Sequence, residues 1–302
     1  MSILSQVSKP EKRLPIITIC GDAGTGKTSL AATFPYPIFI RAEDGVGRID
    51  KSVQLPDAFP VVHSMADLEE QLIALLREDH PYQTLVIDSV SKLEEIFIRE
   101  ILEKDGRAKG INQALGGYGN GPAAVAAMHG RVRKAAGLLN ERKGMVVVFI
   151  SHADLETMRL PDADDYQRYS LRLMAKSIAP YVDDVDLVGY VRLVSAMRGD
   201  EGERKKVISN GDRELVCHAT AASVSKNGLG VTEPLDLPPG TNPLIELIYE
   251  AKPTAGQSPA KAEAKPAAKP KAATKPKAEP EAEPDADEGE IDTDGVDPAD
   301  FS

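Results

Sequence analysis

The sequence predicts an α/β fold with a mostly parallel central sheet flanked by helices, on three observations. Apolar, strand-like runs recur at 16–20, 37–41, 84–88, 145–150 and 187–194. Helix-compatible stretches lie between them, and strands alternating with helices are the pattern of a parallel sheet covered on both faces. Runs such as Leu85-Val86-Ile87 and Val146-Val147-Val148 are apolar without alternation, which suits strands buried on both sides.

The first run leads directly into Gly21-Asp22-Ala23-Gly24-Thr25-Gly26-Lys27-Thr28, which fills all eight positions of the G-x-x-x-x-G-K-[ST] phosphate-binding loop. Its glycines let backbone N–H groups turn inward around phosphates. Lys27 supplies charge to the β- and γ-oxygens, Thr28 offers a hydroxyl to Mg²⁺, and Ser29 extends the site into the helix. The cofactors expected are ATP and Mg²⁺. A helix over 28–34 fits the stop at Pro35 and Pro37.

Further helices start at Ser64-Met65-Ala66-Asp67 and at Ser91-Lys92-Leu93-Glu94, each ahead of leucines or isoleucines at helical spacing. Pro122 can open another, running to about Asn140. Past Asp186 the pattern changes: Val207-Ile208-Ser209 and Leu215-Val216-Cys217 flank Asn210-Gly211, a dipeptide favouring a hairpin turn, so a C-terminal β-hairpin extension is expected.

Three strand ends carry chemistry. Leu85-Val86-Ile87-Asp88-Ser89 is an apolar strand ending in an acid, and Asp88 is the expected metal-side carboxylate. Glu43 and Asp44 follow the second strand on the same sheet edge. A carboxylate there can orient a water toward the γ-phosphoryl group; Glu43 is the candidate general base and Asp44 is read as loop chemistry. At the end of a further strand, Ser151 or His152 can touch the γ-phosphate, with His152 the candidate sensor.

The 302 residues carry a net charge of −11, and composition divides them into an N-terminal arm (1–13), a core (14–250) and a tail (251–302). The tail opens with an Ala/Lys/Pro-rich block of seven lysines and one glutamate, then ends in a block of eleven acids without a base. Nothing in it can be buried, so disorder is expected. The global charge therefore argues neither for nor against nucleic acid. The two cysteines, Cys20 and Cys217, lack metal spacing and read as buried reduced thiols. With no 18-residue apolar run and no apolar signal-peptide core, the chain is expected in the cytoplasm, without a membrane partner.

Together these features resemble the RecA-like P-loop ATPase core, specifically the phage-encoded type associated with single-strand annealing, over about residues 13–250. The likeness rests on the phosphate loop, Ile40-Arg41-Ala42-Glu43-Asp44-Gly45, Leu85 to Ser89, Gly116-Gly117-Tyr118-Gly119, Ser151-His152-Ala153, and the run 222–230 that holds Ser225-Lys226-Asn227-Gly228. The resemblance implies catalytic roles for Lys27, Glu43 and His152. It implies two mobile DNA-facing loops at about 104–121 and 153–170, the first with Lys104, Arg107, Lys109 and Tyr118, the second with Arg159, Tyr166, Arg168 and Tyr169. It also implies a homo-oligomer in which Lys226, or its rivals Arg204, Lys205 and Lys206, reaches a neighbour's γ-phosphate. Gly228 stands where the family often has a basic residue. The tail end, Asp292 to Ser302 with Phe301 penultimate, resembles the acidic tips by which single-strand-binding proteins dock partners. A solubilising role is its alternative.

The resemblance thus implies a DNA-stimulated ATPase that binds single-stranded DNA in a bacterial host cell and promotes annealing or strand exchange in phage recombination. A nucleotide-dependent adaptor or helicase-loader-type ATPase recruiting replication proteins, and a small-molecule kinase, share the phosphate loop.

Overall fold

The computed structural model describes residues 3–7, 13–160, 164–198, 206–218 and 220–249. The tail with Phe301, and Arg204 and Lys205, lie outside the described residues. After a short 3-10 turn at Ile3–Gln6 come β1 (Ile16–Gly21), α1 (Lys27–Ala32), β2 (Pro37–Arg41), β3 (Asp57–Ala58), α2 (Met65–Arg77) and β4 (Thr84–Asp88). The chain continues through α3 (Val90–Lys104), α4 (Asn120–Lys143), β5 (Val146–Met158), β6 (Tyr166–Leu171) and α5 (Ala179–Val182). It closes with β7 (Leu187–Arg198), β8 (Lys206–Val216), β9 (Lys226–Asn227), β10 (Leu235–Asp236) and α6 (Leu244–Tyr249).

The sheet runs in the order β10-β8-β7-β1-β5-β4-β2-β3. Neighbours from β7 to β3 are parallel, and β8 and β10 add an antiparallel edge. Successive strand residues point to opposite faces, and both faces are apolar. Ile16, Ile38, Ile40, Leu85, Ile87, Val147 and Phe149 face a layer holding Leu68 and Leu72 of α2, Phe97 of α3 and Val132 of α4. Ile17, Ile19, Phe39, Val86, Val148 and Ile150 face Leu30 of α1 and Leu244 and Ile248 of α6. This is the mostly parallel, helix-flanked sheet the alternation predicts. Among the described residues, no helix is long and apolar enough to cross a membrane.

Local signals place the helices, with corrections. Ser64 caps α2 as read: its hydroxyl accepts from Asp67 N, and Asp67 accepts from Ser64 N, each at 3.1 Å. For α3 the cap is Ser89, not Ser91; Ser89 Oγ accepts from Lys92 N at 3.3 Å, while Ser91 and Glu94 are buried on the helix's inner face. Pro122 does not open α4, which starts at Asn120 behind a left-handed Gly119. A proline in the first turn is tolerated because that N–H has no partner within the helix.

Two expectations about turns are overturned. Asn210-Gly211 makes no hairpin; it lies inside β8, both halves of which pair with the long β7. The register passes from Leu193↔Arg213 to Ser195↔Ser209, so residues 210–212 bulge opposite Val194, with Gly211 at φ 88°. A left-handed glycine serves a bulge as readily as a reversal, and here β7 supplies a partner for both halves. The hairpin extension exists as the antiparallel pair β7–β8, whose register runs from Tyr190↔Val216 to Arg198↔Lys206.

The segment 153–170 is likewise not an open loop. β5 runs on past the sheet and pairs antiparallel with β6, from Ala153↔Leu171 to Met158↔Tyr166. In the other expected loop, Lys104 is the last residue of α3 and a 3-10 stretch covers Ile111–Gly116.

Candidate active site

The sheet brings four strand ends to one edge. Gly21 is level with His152, Asp88 with Ile150, and Arg41 with Asp88. Because β5 is inserted between β1 and β4, His152 stands between the phosphate loop and the acid-bearing strand. A cleft of about 600 Å³ opens there, lined by Gly24, Lys27, Thr28, Glu43, Asp88, His152 and Arg213 among others. That volume suits a nucleotide-sized ligand.

Lys27 folds back onto its own loop, its Nζ donating to the carbonyls of Gly21 at 2.9 Å and Asp22 at 2.7 Å. It is buried, and burial lowers its pKa while Asp88 and Glu43 hold its charge in place. The ammonium is thus stationed at the mouth of the loop.

Thr28 Oγ1 donates to Asp88 Oδ2 at 2.8 Å. Asp88 is only 3% exposed, and burial pushes its carboxyl up to about 6, against the lowering effect of the Thr28 bond. A carboxylate whose charge is so costly fits a site for a cation, which would return it to the ionised form. A hydroxyl and a carboxylate oxygen are the hard donors Mg²⁺ takes. Thr28 would hold the ion directly and Asp88 through its water shell; when bound, the ion shields charge on the β- and γ-phosphates.

Glu43 Oε1 accepts from Ser89 Oγ at 2.8 Å and lies 3.2 Å from His152 Nε2. The bond to His152, supported by Ser89 and opposed by partial burial, holds the Glu43 carboxyl down to about 2. Glu43 is therefore a firm carboxylate, better suited to orienting water than to taking its proton early. Asp44 is mostly exposed and pairs with Arg41 at 3.3 Å, as loop chemistry would. Strand alternation separates Ser151 from His152: Ser151 is buried with its hydroxyl 3.1 Å from Ser91 Oγ, and His152 faces the cleft. Sequence reasoning left that pair open.

Two residues are not signalled as functional by the sequence: Ser89, buried beneath the cleft against Glu43, and Arg213, which lines it. Ser89 follows Asp88 directly and stands three residues before Lys92, the spacing of a helix cap; that signal was assigned to Ser91. Arg213, half-buried on β8, sits 3.9 Å from Asp50 and against Gly26. No nucleotide-binding motif surrounds it in sequence.

The expected DNA-facing residues lie apart from the cleft. Lys104, Arg107 and Lys109 are exposed and have no ion pair among the described residues. Tyr118 is fully exposed in a run, Leu115 to Gly119, in which every φ is positive. On the β5–β6 ribbon, Arg168 pairs with Glu156 at 3.1 Å and Arg159 with Asp165 at 3.7 Å, and Tyr166 begins β6. Lys226 pairs with Val188 on β9, donates to the Asp183 carbonyl, and is absent from the cleft of its own chain.

A family profile described as an AAA domain matches residues 14–227, most of the chain, so the protein belongs to that family. No curated protein matches it.

Proposed function

We propose that the protein is a DNA-stimulated ATPase that binds single-stranded DNA and promotes annealing or strand exchange in phage DNA recombination; family membership supports the ATPase half alone. One observation carries the hydrolytic half: Lys27, the Thr28–Asp88 pair and the Glu43–His152 pair converge on a single cleft. Lys27 and the loop amides bind phosphate, Glu43 orients the attacking water, and catalysis is positioning and charge stabilisation.

The DNA half is supported by the family resemblance of the sequence and by two surface features. Lys104, Arg107 and Lys109, which have no ion pair among the described residues, stand near in sequence to exposed Tyr118, a mixture suited to phosphates and unstacked bases. The β5–β6 ribbon grows out of the strand that carries His152, so a change at the γ-phosphate has a short route to it. On this reading the protein works as a homo-oligomer in the bacterial cytoplasm, Lys226 acts in trans, and the acidic tail docks a single-strand-binding or other replication protein.

The AAA family supports a second reading, an adaptor or loader whose nucleotide state controls partner binding. Steady-state ATPase assays of the full chain with and without single-stranded DNA separate the two. Stimulation of several-fold supports the first reading. Turnover indifferent to DNA, with ATP-dependent partner binding, supports the second.

A further inference from the structure

The cleft has two ends. At one, Asp88, Glu43 and His152 gather around Lys27 and Thr28. At the other, Ser29 Oγ accepts from Asp50 N at 3.1 Å, and Asp50 faces the Arg213 guanidinium. Because the lysine of a phosphate loop reaches the β- and γ-phosphates and its hydroxyl serves Mg²⁺, the second end remains for the α-phosphate and the nucleoside.

Arg213 is built into that second end. Its backbone carbonyl accepts from Leu237 N at 2.8 Å, fixing the bulged part of β8. Its side chain is 18% exposed and lies so close to the phosphate loop that a Cβ at Gly26 would collide with Nη1. Gly26, at φ 89°, leaves the room the guanidinium fills. The Asp50 pairing is long and partly solvated, the kind of ion pair that contributes little to stability and yields to a phosphate, which takes a guanidinium through two parallel bonds.

We propose that Arg213 is a nucleotide-binding residue supplied in cis by β8, and that its guanidinium leaves Asp50 to hold the α-phosphate end of the bound nucleotide. The inference rests on the nucleotide reading above. It assigns the cation to the same chain as the phosphate loop, and to a phosphate that ADP and ATP share.

The test is equilibrium binding of fluorescent ADP and ATP, with Mg²⁺, to the full chain and its Arg213→Ala, Arg213→Gln and Arg213→Lys variants. Arg213→Ala should weaken both nucleotides about tenfold and by similar factors, the loss of one charge-assisted contact. Arg213→Lys should recover part of that loss and Arg213→Gln none; Arg213→Gln also keeps the side-chain length should the alanine variant fail to fold. Unchanged ADP affinity, a loss confined to ATP, or equal behaviour of the lysine and glutamine variants would each overturn the assignment. If the unaltered protein binds neither nucleotide, the failure belongs to the nucleotide reading; if it binds both and Arg213→Ala binds them with unchanged affinity, it belongs to Arg213 alone.

Discussion

The phosphate cleft and the β5–β6 ribbon spend their charges in opposite ways. In the cleft, polar groups at or just past the ends of β2, β4 and β5 and from the phosphate loop are drawn together and partly dehydrated: burial pushes Asp88 up to about 6, and the bond from His152 holds Glu43 down to about 2. On the ribbon, Arg168 and Arg159 are matched cross-strand or nearby by Glu156 and Asp165 in solvent. Such pairs are worth little and are screened by salt. Convergence under burial makes a site with a definite chemistry, whereas local neutralisation makes a surface whose affinity depends on what displaces the acids. Lys104, Arg107 and Lys109, which form no ion pair among the described residues, are the better electrostatic foothold for a polyanion.

The largest effect that can break this contrast is at Lys27. Lys27→Ala should reduce ATP turnover by about 10³-fold while circular dichroism stays native, because a buried phosphate clamp is removed from a surface loop. Hydrolysis at the native rate would end the cleft's claim to be the site. Glu43→Gln should cost about 10²-fold in kcat while ATP still binds, since the amide keeps the shape and loses the charge. A larger loss from Asp44→Asn would move the water-orienting role to the exposed acid.

For the two DNA-facing segments, salt titration of single-stranded DNA binding sharpens the comparison. Replacing Lys104, Arg107 and Lys109 with Ala should lower the salt slope by up to about 2, at about 0.7 per phosphate contact. Replacing Arg159 and Arg168 should lower it by well under the roughly 1.4 that two contacts would give, because their acids already offset them. A loss of the full amount would show that the ribbon's acids turn away on binding. Tyr118→Ala should weaken binding by about 1 kcal/mol with little change in slope, the mark of stacking rather than charge.

A last effect, on stability rather than binding, extends the buried side of the contrast into the core. His129 of α4 faces Glu94 of α3 and Tyr181 of α5, its Nδ1 lying 2.7 Å from the Tyr181 hydroxyl, and burial pushes its pKa down to about 3. The unfolded chain therefore takes up the proton first. The stability this neutral ring contributes is full above about pH 6.5 and is lost as pH falls from there toward 3, at up to about 1.4 kcal/mol per pH unit. Glu94, which burial pushes up, works in the opposite sense. His129→Gln removes the first contribution, so urea melts at pH 7 and pH 5 should differ less for the variant than for the parent.

How far these regions could be read in advance follows the same division. Asp88, Glu43 and His152 were legible because parallel strands end on one edge and their registers are short-range consequences of buried apolar runs. Ser89 was half legible, one residue past a recognised acid. Arg213 was not: Asp50 and Gly26 are distant in sequence, and the bulge that aims it shares its Asn-Gly signal with a hairpin turn. The ribbon escaped because its alternation is mostly polar, so pairing rather than burial defines it.

One thiol also lies in the apolar layer on each side of the sheet, Cys20 on β1 and Cys217 just past β8. Cys20, two residues before the phosphate loop's Asp22, packs in the layer of α2, α3 and α4; Cys217 packs in the layer of α1 and α6. Burial raises both to about 12, so neither reacts while its layer is closed. The pair therefore forms a two-channel clock for opening: alkylation of Cys20 reports separation on the α3–α4 side, and alkylation of Cys217 reports separation on the α1–α6 side. A nucleotide seated against the loop should slow the first channel, and one gripped by β8 should slow both.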